Sequence, residues 1–292
     1  MKPVGTDTTV GFIGIGVMGK SMASHLLEGG FSLNVYNRTK DKAKELIKRG
    51  AHWCDNPGKV ASDSDVVITI VGYPSDVEQI YLGDDGILHH LSPGNIAVDM
   101  TTSSPQLAAR IYHKAREKGV AVLDAPVSGG DIGAKEGKLS IMVGGDEDVF
   151  NAVMPIFSLM GKNIVYQGSA GSGQHCKMAN QIAIASTMLG VCESIRYAEK
   201  AGLDPGTVLE TIASGAAASW SLSNLGPRII NGNFEPGFYV KHFIKDMRIA
   251  LESSEEIGLS AKGLALAKSM YEELAEQGGE NFGTQALYKN YL

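Results

Sequence analysis

Thr8-Thr-Val-Gly-Phe-Ile-Gly14-Ile15-Gly16-Val17-Met18-Gly19 is a short apolar run closed by three spaced glycines, after which Met18, Met22, Leu26 and Leu27 recur at helical spacing. The pattern reads as strand, glycine turn, helix. A dinucleotide needs that order: Gly14 makes the turn, Gly16 lets a pyrophosphate approach bare backbone, and Gly19 lets helix and strand pack closely. Three glycines alone are a weak signal; their place between a first strand and a first helix is a strong one. Gly14, Ile15, Gly16, Val17, Met18 and Gly19 are therefore the first candidate cofactor-binding residues.

Outward from that turn, a second strand over Ser32 to Tyr36 ends in Asn37-Arg38-Thr39. NAD-binding proteins usually carry an acid there for the ribose hydroxyls, but no acid occurs here before Asp41. A neutral amide, a cation and a hydroxyl suit a 2′-phosphate, so Asn37, Arg38 and Thr39 predict NADP over NAD. A surface arginine after a strand is the competing reading.

Further apolar runs at Val66 to Val71, Ile96 to Asp99 and Val120 to Asp124 alternate with helical segments, which predicts a largely parallel sheet. Their carboxyl ends carry Gly72-Tyr73-Pro74, Met100-Thr101-Thr102 and Ala125-Pro-Val-Ser128-Gly129-Gly130. Ligands of such sheets sit beyond those ends. Ser128, Gly129 and Gly130 present a hydroxyl and free N–H groups suited to a carboxylate, or else form an ordinary tight turn. Strands over Leu139 to Val143 and Asn163 to Tyr166, with a helix over Glu147 to Met160 between them, complete the first domain.

At Gly168-Ser-Ala-Gly171-Ser-Gly173-Gln-His-Cys-Lys177-Met-Ala-Asn180-Gln181 the alternation stops and a helical pattern begins. The expected division is a Rossmann-type cofactor domain over 1–168 and an all-helical substrate and oligomerisation domain over 169–292. Ser172 is a candidate N-cap for a helix reaching about Lys200, and Lys177, Asn180 and Gln181 share one face of it. An amine beside an amide suggests proton transfer, with a solvated helix face as the competing reading. The helix carries more apolar residues than one face needs, which predicts a homodimer or homotetramer. Later helical segments are expected at Gly206 to Ala213, Val240 to Ile257 and Gly263 to Gln277, separated by Asp204-Pro205, Gly226-Pro227 and Glu235-Pro-Gly237. Lys245 and Asp246 adjoin in a helical pattern, so they are expected to serve different partners.

The 292 residues are 43% apolar and 20% charged with a net charge of -6, a soluble globular composition that argues against general nucleic-acid binding. Cys54, Cys176 and Cys192 offer no Cys-x-x-Cys pair or disulfide framework, which fits a cytoplasmic protein. The seven histidines show no metal-ligand spacing, so no metal is expected. Nor does any apolar run approach the roughly 18 residues of a membrane span or form a signal peptide.

Together these stretches resemble the β-hydroxyacid dehydrogenase family, which includes 3-hydroxyisobutyrate dehydrogenases, tartronate semialdehyde reductases and glyoxylate/succinic semialdehyde reductases. The resemblance runs from Thr8 to about Tyr288. It rests on Gly14-Ile-Gly16-Val-Met-Gly19, Asp124-Ala-Pro-Val-Ser-Gly-Gly130, the Gly168 to Asn180 stretch and Lys245-Asp246, in family order. It implies that Lys177 is the catalytic acid/base, that Asn180 helps hold the substrate, and that Ser128, Gly129 and Gly130 bind its carboxylate. Thr102 would lie near the nicotinamide, while Phe238, Lys245 and Asp246 would close over cofactor and substrate. Some members place the asparagine four residues after the lysine, which makes Gln181 a possible substitute. The expected reaction interconverts a small 3-hydroxy acid and its semialdehyde. An imine reductase-like enzyme and a non-catalytic NADP-binding sensor are the alternatives.

Overall fold

The computed structural model describes residues 4–292. The chain divides into two compact units, one ending at Lys177 and one running from Met178 to Leu292.

The first unit is built on a nine-stranded sheet: β1 (Thr9–Ile13), β2 (Ser32–Tyr36), β3 (His52–Trp53), β4 (Val66–Thr69), β5 (Ile96–Asp99), β6 (Ala121–Asp124), β7 (Val127–Ser128), β8 (Leu139–Gly144) and β9 (Gly161–Gly168). The order is β3-β2-β1-β4-β5-β6-β8-β7, with β9 also paired to β8. β3 to β6 around β1 are parallel, whereas β8 runs antiparallel to β6 and β7. Side chains alternate across a strand, and here both faces are covered. Val66, Ile68, Ile96, Val98 and Leu123 enter one apolar cluster, while Val67, Ala97 and Val122 enter another. Burial on both sides explains why these strands read as continuous apolar runs.

Helices α1 (Val17–Glu28), α2 (Lys44–Lys48), α3 (Pro57–Ser62), α4 (Pro74–Leu82), α5 (Pro105–Arg116), α6 (Gly130–Lys135) and α7 (Glu147–Met160) complete the layers of this unit. The next helix, α8 (Ser172–Lys200), contains the division between the units. Ser172 is its first helical residue and not a flanking N-cap.

The second unit comprises the rest of α8 with α9 (Pro205–Ala213), α10 (Trp220–Asn224), α11 (Gly226–Ile230), α12 (Val240–Glu256) and α13 (Lys262–Leu274). Its core gathers Met188, Val191, Cys192, Phe243, Met247, Tyr271 and Leu287. Two of the expected breakers also start helices, while Glu235-Pro-Gly237 lies in the loop before α12. Asp204 caps α9 by accepting from the Thr207 N–H at 2.7 Å, and Pro205 and Pro227 stand in first turns, where a missing N–H costs nothing. None of the helices is long and apolar enough to cross a membrane among the described residues.

Candidate active site

The glycine turn is held as its chemistry requires. Gly14 has φ +105°, and a Cβ there would strike the Ile70 carbonyl; one on Gly19 would strike the Gly14 carbonyl. Gly16 differs: its φ is -85° and a Cβ would meet nothing within 4 Å. The space over Gly16 is thus open, and α1 starts there with no side-chain cap and no acid in its first turn. Such a helix start offers unpaired N–H groups and a positive dipole end to an anion. Beside it an open cavity of about 540 Å³ is lined by Ile15, Gly16 and Val17, by Lys20, Lys42, Lys44 and Lys48, and by Glu45 and Asp41, which pair with Lys20 and Lys44 and leave an excess of positive charge. These residues fit the phosphates of a nicotinamide dinucleotide.

At the end of β2, Asn37 braces this turn. Its Oδ1 accepts from the Ile15 N–H at 2.9 Å and its Nδ2 donates to the Thr39 carbonyl at 2.9 Å. Arg38 is 79% exposed and pairs loosely with Asp76 at 3.3 Å, so its guanidinium can turn toward a ligand at little cost. Thr39 is exposed.

At the ends of β4 and β5, Thr101 Oγ1 accepts from the Val71 N–H at 2.9 Å. Asp99 is buried beneath it, accepting from Thr69 Oγ1 at 2.8 Å and the Thr101 N–H at 3.1 Å. Burial pushes its carboxyl up to about 6 against the pull of these hydrogen bonds, and the nearby Asp124 adds to the rise. Thr102 is half-buried.

β7 brings Ser128 opposite Ser140 of β8. Two successive residues of positive φ follow, Gly129 at φ +126° as the flanking residue of α6 and Gly130 at +63° as its first. The sequence read this segment as a turn; the short strand in front of it was too brief to show a period.

Lys177 reaches the same region of this unit. Lys177 is only 7% exposed, and its Nζ donates to the Val127 carbonyl at 2.9 Å, one residue from Ser128. The first turn of α8 that carries it is fastened by two residues without an expected role. Asp124 accepts from the N–H groups of Gly171 at 2.7 Å and Gln174 at 2.8 Å. Gln174 in turn accepts from the Ser103 N–H at 2.9 Å and donates to the Thr101 carbonyl at 2.8 Å. Asp124 stands in the sequence only as a strand end and the first letter of a motif, and Gln174 only as a letter of the Gly168 to Gln181 stretch.

In the helical unit Asn180, Gln181, Asp246 and Lys245 form one chain, half-buried at Asn180 and buried beyond it. Asn180 Nδ2 donates to Gln181 Oε1 at 2.7 Å, and Gln181 Nε2 donates to Asp246 Oδ2 at 2.5 Å. Both ends of the Gln181 amide are thereby engaged. Lys245 Nζ lies 2.8 Å from Asp246 Oδ1, which corrects the expectation that these two neighbours serve different partners. The lysine stem is long enough to fold back along the helix, and two charges buried this deeply gain more from pairing than helical geometry denies them. The contact is an ion pair by distance, without the alignment of a hydrogen bond. Phe238 packs edge-on against Phe243 at 5.8 Å.

The three cysteines are free, and burial pushes the Cys192 thiol up to about 12. Cys176 is half-buried. Among the described residues no group of three or more His, Cys, Asp or Glu is placed to hold a metal ion.

Comparison with known proteins adds to this geometry. The NAD-binding domain of 6-phosphogluconate dehydrogenase matches residues 9–168, and the NAD-binding domain of NADP-dependent 3-hydroxyisobutyrate dehydrogenase matches residues 171–291. The chain belongs to the β-hydroxyacid dehydrogenase family. Within that family it is 60% identical to an uncharacterised oxidoreductase of Bacillus subtilis, over 97% of this chain and 99% of the relative. It is 40% identical to the 2-hydroxy-3-oxopropionate reductase of Escherichia coli, over 95% of each chain. The solved structure of Psf3 in complex with NADP+ and 2-OPP superposes with a TM-score of 0.90 at 25% identity, covering 97% of this chain and 100% of that one. This β-hydroxyacid dehydrogenase is therefore an NAD(P)-dependent oxidoreductase acting on CH–OH donors.

Proposed function

We propose that the enzyme uses NADP to interconvert a small 3-hydroxy acid and its semialdehyde, in a 3-hydroxyisobutyrate dehydrogenase-like or tartronate semialdehyde reductase-like reaction. The observation that carries the reading is Lys177: a buried amine held at 2.9 Å by the Val127 carbonyl, beside Ser128, in the unit that contains the glycine turn. Bound nicotinamide supplies or takes the hydride. Lys177 gives a proton to the carbonyl oxygen during reduction and recovers it from the hydroxyl during oxidation. The Val127 carbonyl orients the ammonium for that transfer. Asn180, one helical turn after Lys177, steadies the same oxygen, since Gln181 is engaged at both ends. Ser128 and the N–H groups of Gly129 and Gly130 bind the substrate carboxylate, the glycines leaving the turn free of side chains that would block an anion. Arg38 reads the 2′-phosphate, with Asn37 shaping the turn behind it. Thr102 serves the cofactor, and Phe238, Lys245 and Asp246 keep the binding role that the family resemblance implies for them.

A second copy of the chain is the proposed partner, covering the apolar surplus of α8 at Ile182, Ile184 and Leu189, which are half-buried, and Tyr197, which is exposed. Three free thiols accord with a cytoplasmic location. The reaction is tested by assaying 3-hydroxyisobutyrate, tartronate semialdehyde, succinic semialdehyde and glyoxylate with both cofactors. Turnover of at least one with NADP(H) is expected; turnover of none, or only of substrates lacking a carboxylate, would overturn the reading.

A further inference from the structure

Where side chains cap helices in the cofactor-binding unit, as at α3 and α5, they come from the adjoining residues. Asn56 caps α3 by accepting from the Lys59 N–H at 2.7 Å, and Ser104 caps α5 by accepting from the Leu107 N–H at 3.2 Å. The start of α8 is held from far away in sequence. The carboxylate of Asp124, at the end of β6 and only 3% exposed, bridges the Gly171 and Gln174 N–H groups with one oxygen each. Glycines make the approach possible. A Cβ on Gly173 would lie 2.6 Å from the Asp124 carbonyl and 2.9 Å from its Oδ2, and one on Gly144 would lie 2.6 Å from its Oδ1. The fully buried Gln174 fastens the same turn to Ser103 and Thr101.

We propose that Asp124 is the positioning residue for Lys177, acting as a long-range cap that sets where the first turn of α8 stands against the strand ends. Lys177 lies three residues beyond Gln174, and its Nζ bonds Val127, three residues beyond Asp124. One strand-end segment thus fixes both the backbone of the helix and the ammonium it carries. An anion at a helix N-terminus also opposes the positive dipole end, and charge-assisted hydrogen bonds are the stronger kind. A shift of about 1 Å in a reacting group is enough to cost roughly 10²-fold in rate. The consequence for catalysis rests on the role proposed above for Lys177; the capping itself does not.

The test uses Asp124→Asn, which keeps the shape but turns one acceptor into a donor facing an N–H. Hydrogen exchange followed by mass spectrometry should show the peptide spanning 171–177 exchanging about tenfold faster or more, with β1 to β5 within about twofold of wild type. With NADPH and whichever of the four carboxylate substrates the wild type turns over fastest, kcat per NADPH-binding site should fall roughly ten- to hundredfold. The KM and the NADPH Kd should stay within about threefold, as expected when an interaction acts mainly in the transition state. Faster exchange across the whole unit with kcat per binding site unchanged would mean that Asp124 merely stabilises the fold, and would overturn the proposal. So would unchanged exchange at 171–177. If the variant does not fold, wild-type exchange decides: the Gly171 and Gln174 amides should be as protected as the sheet, and free exchange there refutes the cap. Lys177→Ala, run alongside, tests the functional reading separately, because full activity in it would end that reading and leave the exchange result standing.

Discussion

Arg38→Ala, compared with Asn37→Asp, separates two ways in which the end of β2 can select a cofactor. Arg38 is largely exposed and its contact with Asp76 is a long one, so the substitution removes little stability. A charge-assisted hydrogen bond contributes about 1.5–3 kcal/mol, and solvent screening favours the lower end, which corresponds to roughly tenfold in affinity. NADPH should therefore bind about tenfold more weakly to Arg38→Ala, with NADH changed less than about twofold, since only NADPH carries the 2′-phosphate. Asn37→Asp perturbs differently. It turns a donor to the Thr39 carbonyl into an acceptor facing it, and adds a negative charge one residue from Arg38. Two like charges about 5 Å apart at an effective dielectric of about 20 repel by roughly 3 kcal/mol before screening, so NADPH should again lose more than NADH. Kd values from fluorescence titration at low and high salt supply the assay. Equal losses for both cofactors in Arg38→Ala, or an NADPH preference indifferent to salt, would refute a phosphate contact by this arginine.

Gly16→Ala should leave thermal stability within a degree or two, because its backbone and surroundings accept a Cβ, yet weaken cofactor binding at least about tenfold by filling the open approach to the turn. Gly14→Ala should lower Tm clearly, given its left-handed φ and the Ile70 carbonyl; the reverse pattern in a melting and titration series would contradict the assignment. For Asp99, raised from 3.8 to about 6, the linkage is that of a buried acid: the protonated form is the better tolerated one, so its contribution is fully present below about 4 and is lost as pH rises through about 6. That rise corresponds to roughly 3 kcal/mol at most, and Asp99→Asn should gain stability relative to wild type between pH 4.5 and 8, whereas a Tm difference constant over that range would show that the carboxyl is not raised. Light scattering at micromolar concentration should show at least a dimer, and a 30.9 kDa species alone would exclude one.

Much of this architecture was legible because its signals are long or chemically forced. α7 spans Glu147–Met160 and β2 spans Ser32–Tyr36, as periodicity predicted, and Gly14 and Gly19 stand where no other residue fits. What stayed hidden is short or distant in sequence. β3 and β7 have two residues each, too few for a period, and prolines that looked like interruptions open α9 and α11. Adjacency misled at Lys245 and Asp246, where burial overrode helical direction. At the candidate site, Lys177 stood out as an amine on an apolar helix, but its acceptor on Val127 is a backbone carbonyl that sequence does not advertise. In the sequence Asn37 reads as a phosphate neighbour, and its bonds to Ile15 and Thr39 emerge only once the turn is folded. The Asp124 cap joins residues 47 and 50 positions apart, a pairing no local pattern encodes.

Lys177→Ala tests the central claim most directly. Removal of a general acid/base typically costs ~10²–10⁴-fold in rate, so turnover with NADPH and the best of the four carboxylate substrates should fall by that factor. The NADPH Kd should stay within about twofold, because the glycine turn is untouched and that change amounts to only ~0.4 kcal/mol. A variant that keeps more than about a tenth of wild-type turnover would contradict the account, since no residue assigned the reacting proton could be dispensed with so lightly.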